Sequence, residues 1–323
     1  MAEGSAPTYF MPMEAPGPAV DPPMLEVQGV CKRFGARRAV DSVSFQVRRG
    51  ELFGLLGHNG AGKSTTIGMI LGQVYPDAGT VRIGGADVFQ QRARALARVG
   101  AIFETPCFYD YLSGWRNLEV FTAYTRLTTE DEIRRAVRRV GLEGRIHDPV
   151  GKYSHGMRQR LALAQALLPD PEFLILDEPS DGLDPEGIAE MRELVLDLNR
   201  REGLAILLCS HQLDEVQRLC RRLAILRSGR LVFSGNWHEM DPDEQELDLR
   251  TADTEGDCRA LEQAGMAGHK DGRWVLASGT QVADCVDFLV SKKKSRIQHA
   301  GIKEATLEDV YLRVTRGGEG RER

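Results

Sequence analysis

Three observations predict an α/β fold with a mostly parallel core sheet. From Met24 to about Trp237, short β-rich runs alternate with amphipathic helical segments, the pattern of a parallel sheet covered by helices. Three of the runs, Leu52–Leu56, Phe173–Asp177 and Leu204–Cys209, are apolar almost throughout, as strands buried on both faces are. The first of them leads into Gly57-His58-Asn59-Gly60-Ala61-Gly62-Lys63-Ser64, a G-x-x-x-x-G-K-S spacing between a predicted strand and a predicted helix.

The elements are predicted in chain order. Residues 1–23 carry six prolines and no apolar periodicity, so they are expected to form a disordered leader. A domain is expected over 24–240. Within it the pattern turns helical between 113 and 168, giving a helical part at about 105–168. Thr129 and Glu132 form a capping box ahead of Ile133, Ala136, Val137 and Val140. Ser154 can cap a helix that runs to Leu168 and stops at Pro169. Asp184-Pro185 reads as an N-cap followed by proline at N1. Ala224–Arg227 and Leu231–Phe233 flank Ser228-Gly229 and predict a hairpin. Past Trp237 an acidic linker leads to a small α+β module at 245–316. Its signals are Glu246–Arg250, Arg273–Ala277, a helix near Val282–Val290, and Leu307–Val314. The run Lys292-Lys293-Lys294 with Arg296 is read as a solvated face, with contact to an anionic membrane surface as the alternative. Residues 317–323 are expected to form a disordered tail.

Composition narrows the function. The 323 residues hold 42% hydrophobic and 28% charged side chains, which excludes a wholly disordered chain. The longest apolar runs fall far short of the roughly 18 residues that mark a membrane span, and no signal peptide is visible. The net charge of −5 argues against a general nucleic-acid binder. Six scattered cysteines without a Cys-x-x-Cys predict reduced thiols rather than a disulfide frame or a zinc site.

The glycine-rich segment carries the first piece of chemistry. Its glycines let successive backbone N–H groups curl around phosphate oxygens at a helix N-terminus. Lys63 can reach the β/γ-phosphates of a nucleotide and the Ser64 hydroxyl can ligate Mg²⁺, with Thr65 beside it. His58 stands at a variable position of the loop and is given no chemistry of its own. Phe173–Asp177 ends in Asp177-Glu178, where Asp177 suits a Mg²⁺ contact and Glu178 can polarise a water. His211 lies just past the end of Leu204–Cys209. Three strands thus bring a phosphate loop, a carboxylate pair and an imidazole to one sheet edge, where open α/β sheets bind ligands.

With these residues in place, Tyr153-Ser154-His155-Gly156-Met157-Arg158-Gln159-Arg160 resembles the L-S-G-G-Q signature of ATP-binding-cassette (ABC) transporter ATPases. It departs at Tyr153, His155 and Met157 and keeps Ser154 and Gly156. The resemblance covers 25–237, extends loosely over 245–316, and does not reach 1–23. It implies a P-loop NTPase cassette with a mostly parallel core sheet, an antiparallel β subdomain and a helical subdomain. It implies that Phe34 stacks on adenine and that Ser154 and Gly156 contact the γ-phosphate bound by an opposing subunit. By the same likeness the turn 180–184 couples two sites, His211 contacts the γ-phosphate, and Glu178 is the catalytic glutamate. Glu104 stands where the family usually has glutamine; as a carboxylate it can still bind Mg²⁺ or water, alongside Ser64 and Asp177. Glu104-Thr105-Pro106, the Ser-x-Gly-Met-x-Gln-Arg form of the signature, and the ending Ala305–Arg313 are similar to bacterial export ATPases of the antibiotic-resistance type.

The resemblance also implies an ATPase with ATP and Mg²⁺ as cofactors, dimeric on ATP binding or paired with another cassette. Its partner is a polytopic membrane permease, and it sits peripherally on the cytoplasmic face of the cell membrane. No nucleic-acid partner is expected, and the transported substrate is not identified by any residue. The alternative is a soluble ABC ATPase acting on a macromolecular complex. Against it, the chain has one phosphate loop and no long coiled-coil insertion. A kinase or GTPase switch would share the phosphate loop but would need neither 153–160 nor His211.

Overall fold

The computed structural model describes residues 22–103, 106–123, 128–239, 246–270, 273–303 and 306–316. The leader up to residue 21, Glu104, most of the acidic linker and the tail 317–323 lie outside the described residues. The chain falls into two compact units, one comprising the residues up to Trp237 together with Tyr311 onward, the other His238–Val310.

The larger unit begins with β1 (Leu25–Phe34), β2 (Arg37–Val47), β3 (Leu52–Leu56), α1 (Lys63–Ile70), β4 (Ala78–Ile83), β5 (Ala86–Asp87), α2 (Arg92–Leu96) and β6 (Val99–Ile102). The helical stretch continues as α3 (Gly114–Ala123), α4 (Glu130–Arg139), a 3₁₀ turn at Val150–Lys152 and α5 (His155–Leu167). Then come β7 (Phe173–Asp177), α6 (Pro185–Glu202), β8 (Ala205–Ser210), α7 (Leu213–Leu219), β9 (Arg222–Arg227) and β10 (Arg230–Asn236).

These strands form two sheets. One is antiparallel, in the order β2-β1-β4-β5. The other has the order β10-β9-β3-β8-β7-β6, parallel except for β10, which returns antiparallel to β9 as the expected hairpin. Phe53, Leu55, Phe173, Ile175, Leu207 and Leu226 face a core shared with Val27, Val43, Phe45 and Val81 of the antiparallel sheet and with Ile67, Met69 and Ile70 of α1. The alternate residues of β3, β7 and β8 are also buried, and β7 is half-buried only at its last residue, Asp177. This explains the continuous apolar runs: neither face of these strands meets water, and each large side chain so buried contributes about 1.5–3 kcal/mol. Packing is close enough at Gly54 that a Cβ there would lie 2.7 Å from Val216 of α7.

Helix boundaries reflect local chemistry. The Thr129 hydroxyl accepts from the Glu132 N–H, and the Glu132 carboxylate accepts from the Thr129 N–H at 2.7 Å. This box starts α4, whose Ile133, Ala136 and Val137 face inward. The Ser154 hydroxyl caps α5, and the Asp184 carboxylate caps α6 ahead of Pro185. The strand expected over Leu204–Cys209 runs one residue later, because Ser210 pairs with Leu56.

The smaller unit runs β11 (Leu247–Thr251), α8 (Thr254–Gln263), β12 (Ala267–Lys270), β13 (Arg273–Leu276), α9 (Val282–Lys293) and β14 (Ile297–Ile302). β11 pairs with β14 and β12 with β13, all antiparallel, and the bridge Glu246–Val275 joins the two ribbons. Its core holds Leu247, Leu249, Cys258, Leu261, Leu276, Cys285 and Leu289. The final helix α10 (Leu307–Arg316) begins in this unit, while its residues from Tyr311 belong to the larger one.

The lysine run differs from a plain solvated face. Lys293 donates to the Gly256 carbonyl at 2.8 Å and to the buried Asp257 carboxylate at 3.0 Å, and Lys294 closes α9 in a left-handed conformation. Burial pushes the Asp257 carboxyl up, but hydrogen bonds from Thr251, Ser295 and Lys293 outweigh it and hold the group below its ordinary value. Asp257→Ala is expected to lower the local opening free energy of α8 and α9 by about 2 kcal/mol, the scale of hydrogen bonds to a charged group, as read by amide hydrogen exchange. Because the folded carboxyl is depressed, its contribution is complete above the unfolded pKa and is lost as pH falls through the lower folded value. The gap between wild type and variant therefore closes on acidification, and a gap independent of pH would refute this role.

Candidate functional site

Parallel register sets the site. Leu56 lies opposite Ser210, and Asp177 lies opposite Cys209. The carboxyl ends of β3, β7 and β8 are therefore nearly level, and the loop that leaves each one emerges at the same sheet edge.

The loop after β3 turns into α1 through Gly62, which adopts φ +107. A Cβ at this position would lie 2.7 Å from the Ala39 carbonyl oxygen, so the backbone conformation and the space both require glycine. No side chain caps α1 and no acidic residue stands in its first turn. The positive end of its dipole is thus presented without a competing carboxylate of its own. Lys63 is buried, and its ammonium curls back to donate to the Gly57 carbonyl at 2.7 Å. This holds the charge inside the loop's concavity.

A cavity of about 360 Å³ opens over this loop. Its lining is Phe34, Arg37 and Ala39 from the antiparallel sheet with its first turn, and His58, Asn59, Gly60, Gly62, Lys63, Ser64 and Thr65 from the loop and the start of α1. Phe34 is 53% exposed, which leaves its ring accessible for stacking, and the Lys32 ammonium lies 5.6 Å from the ring centroid. The His58 Nδ1–H donates to the Asn59 carbonyl at 2.7 Å, a contact within the loop itself. Of the expected nucleotide residues, Gly57 and Ala61 form the loop but do not line the cavity. Arg37 and Ala39 line it without having been expected. Arg37 brings a second cation, its guanidinium 3.5 Å from the Gly60 carbonyl oxygen. A short turn places it there, and no motif announces it.

Beside the loop, Glu178 comes directly after β7 with φ +49. A non-glycine residue in this left-handed region costs on the order of 1–3 kcal/mol and is held only by its surroundings. Here the Glu178 N–H donates to the Cys209 carbonyl at 2.9 Å. Its carboxylate accepts from the Ser210 hydroxyl at 3.2 Å, from the His211 backbone N–H at 3.3 Å and from the His211 Nδ1 at 2.8 Å. The Lys63 ammonium lies 3.7 Å away. Glu178, His211 and Lys63 are thus brought together. The bond at Nδ1 places the imidazole hydrogen there and leaves Nε2 to accept when the ring is neutral and to donate when it is charged. Burial, reinforced by the Asp177 charge, pushes the neighbouring Cys209 thiol well up, so it is not a nucleophile at this edge.

Ser154 and Gly156 open α5 and are not among the residues that line the cavity. The start of α5 is tied instead to the turn after Glu178. The His155 Nε2–H donates to the Asp181 carbonyl at 2.9 Å, and the Gln159 side-chain amide donates to the Pro179 carbonyl at 3.0 Å.

The donor set decides which metal chemistry fits. Among the described residues no three His, Cys, Asp or Glu side chains gather as a protein cage. Ser64 and Asp177 are hard oxygen donors of the kind Mg²⁺ accepts, and Mg²⁺ characteristically completes its shell with water and substrate phosphates. The residues present therefore fit an ion that arrives with a nucleotide. Glu104 lies outside the described residues. Among the described residues, no helix is long and apolar enough to cross a membrane.

Known proteins resemble this chain in sequence and in fold. The ABC transporter family matches residues 40–181. An uncharacterized ABC transporter ATP-binding protein of Bacillus subtilis is 39% identical, over 93% of this chain and 97% of its own. A fluoroquinolones export ATP-binding protein of Mycobacterium tuberculosis is 33% identical, over 90% of this chain and 93% of its own. Among solved structures, a cassette of a Clostridium perfringens ABC transporter complex superimposes with a TM-score of 0.62 and 27% identity, covering 67% of this chain and 90% of that one.

The backbone requirement at Gly62 has a direct check. Gly62→Ala is expected to destabilise the larger unit by about 1–3 kcal/mol, measured by urea denaturation. An unchanged midpoint would mean that the loop does not hold this conformation in solution.

Proposed function

This chain belongs to the ATP-binding proteins of ABC transporters, and from that premise we propose that it hydrolyses ATP to drive export through a separate membrane permease and that its residues divide the task as follows. The observation that carries the proposal is the Glu178 carboxylate between the phosphate-loop ammonium of Lys63 and the imidazole of His211.

Adenine stacks on Phe34 at the cavity rim. The phosphates lie along the backbone from Gly57 to Thr65, where the dipole of α1, Lys63 and Arg37 offset their charge. Ser64, Asp177 and Glu104 would hold Mg²⁺, which supplies further neutralisation at the phosphate oxygens. Glu178 accepts a proton from the attacking water as the water oxygen bonds to the γ-phosphorus and the β–γ bridging P–O bond breaks, leaving ADP and phosphate. His211, its Nδ1–H engaged by Glu178, presents Nε2 to the γ-phosphate.

Ser154 and Gly156 complete the site of a second copy or a paired cassette, since in their own chain they do not reach the cavity. The hydroxyl and helix-start N–H groups of one subunit then close over the γ-phosphate held by the other. Two such surfaces bridged by ATP separate once phosphate leaves, which is an order-and-closure switch. The helical stretch between residues 105 and 154 meets the permease and passes that motion on. This puts the chain at the cytoplasmic face of a membrane. The export activity named for the mycobacterial relative supports the outward direction, and none of these residues has a role in choosing the cargo.

Two measurements test the assignment. Glu178→Gln keeps the nucleotide contacts and removes the base, so with ATP it is expected to elute from a sizing column as a dimer while hydrolysing negligibly; a monomer at saturating ATP would count against the two-chain site. Lys63→Ala is expected to lower ATP turnover by about a hundredfold or more, and unchanged turnover would remove Lys63 from the reaction.

A further inference from the structure

A buried acid lies behind the Glu178–His211 pair. Glu215 stands in the first turn of α7, four residues after His211, and is 4% exposed. Ser180, two residues after Glu178, is 2% exposed. The Ser180 hydroxyl donates to the Glu215 carboxylate at 2.5 Å. Burial pushes the Glu215 carboxyl up, against the pull of the Ser180 hydrogen bond and the Arg192 charge. Arg192 belongs to α6, and its Nε is buried without a hydrogen-bond partner in the described structure. The acid therefore has polar neighbours from the loop after β7 and from α6.

The two catalytic loops are thereby laced together twice. At the outer level, Glu178 reaches across from the β7 loop to Ser210 and His211 of the β8 loop. At the inner level, Glu215 reaches back from the β8 side to Ser180 of the β7 loop. The outer contacts are half-exposed and join groups that must act on a nucleotide. The inner contact is out of water, where a hydrogen bond is electrostatically stronger and an unmade one is costly. Glu178 itself has a backbone conformation that its surroundings must enforce. The Ser180–Glu215 bond anchors the chain two residues further on and so limits how that strained residue can relax.

We propose that Glu215 is a positioning residue for ATP hydrolysis: through Ser180 it fixes the loop that carries Glu178 against the loop that carries His211. The inference rests on the roles given above to Glu178 and His211. Glu215 touches neither nucleotide nor water; it acts by keeping the base and the imidazole in register, and displacement of about 1 Å at such a pair is enough to cost up to a hundredfold in rate.

The test uses the full chain and steady-state ATP hydrolysis, with rates normalised to folded protein and with Tm measured in parallel. Glu215→Ala and Ser180→Ala are each expected to lower kcat about ten- to a hundredfold with KM for ATP within about twofold, since the phosphate loop is untouched. The double variant is expected to fall no further than the worse single, because both remove one interaction. Glu215→Gln retains an acceptor for the Ser180 hydroxyl and is expected to restore kcat to within about threefold of wild type, roughly the loss left when a neutral acceptor replaces a charged one. Should Glu215→Ala fail to fold, Ser180→Ala and Glu215→Gln carry the comparison. A lowered Tm with kcat unchanged in Ser180→Ala, or losses that multiply in the double variant, would overturn the positioning role. Glu178→Gln and His211→Ala run alongside separate the two claims. If they hydrolyse normally, the underlying assignment fails; if they are impaired while Ser180→Ala is not, only the role of Glu215 fails.

Discussion

The site depends on the parallel pairing of β3, β7 and β8, three strands with both faces buried. Buried backbone groups must pair, and side chains on both faces are apolar, so a one-residue slip would exchange the two faces of tightly packed neighbours. That rigidity fixes where each strand stops. The phosphate loop, Asp177-Glu178 and Ser210-His211 are what the chain does next, and their mutual distances are a property of the sheet before they are a property of the loops.

On this platform charge and strain are concentrated together. One carboxylate accepts from a hydroxyl, a backbone N–H and an imidazole, and lies near a buried ammonium. The residue that bears it holds a left-handed backbone conformation without being glycine. The turn beyond it is gripped from α5 by His155 and Gln159 and from α7 by Glu215. Whatever displaces the start of α5 therefore pulls on the turn leading from the base, and the geometry gives the signature segment a mechanical connection to its own chain's carboxylate as well as its place opposite a second nucleotide.

Much of this was legible in the residues because it is local. The strand Leu52–Leu56, the phosphate loop, the Thr129–Glu132 box and the caps at Ser154 and Asp184 all depend on neighbours within a few positions, and the structure has them where the sequence pattern puts them. What stayed hidden depends on partners far along the chain. β8 is displaced by one residue because Ser210 finds Leu56. Lys293 leaves the solvated run because Asp257 is buried beside it. Arg37 reaches the cavity only because β1 and β2 fold over the loop, and β1 meets β2 with several register shifts that no periodicity signals. Glu215 sits in an ordinary-looking helix start, and only the arrival of Ser180 gives it a use.

The position of β3 within the core sheet also bears on how the protein comes to be. Its two neighbours are β8 and β9, with Leu52 opposite Ile206 and Phe53 opposite Arg222. A strand near the start of the chain is thus completed on both sides by residues made far later, and contacts of such sequence separation close slowly. During synthesis the phosphate loop leaves the ribosome long before the strand beneath it has a partner, so an apolar, unpaired Leu52–Leu56 must wait in a chain prone to aggregation. The residues that line the cavity, Phe34 to Thr65, are thus made early, while the strand beneath them gains its neighbours only once β8 and β9 have been translated.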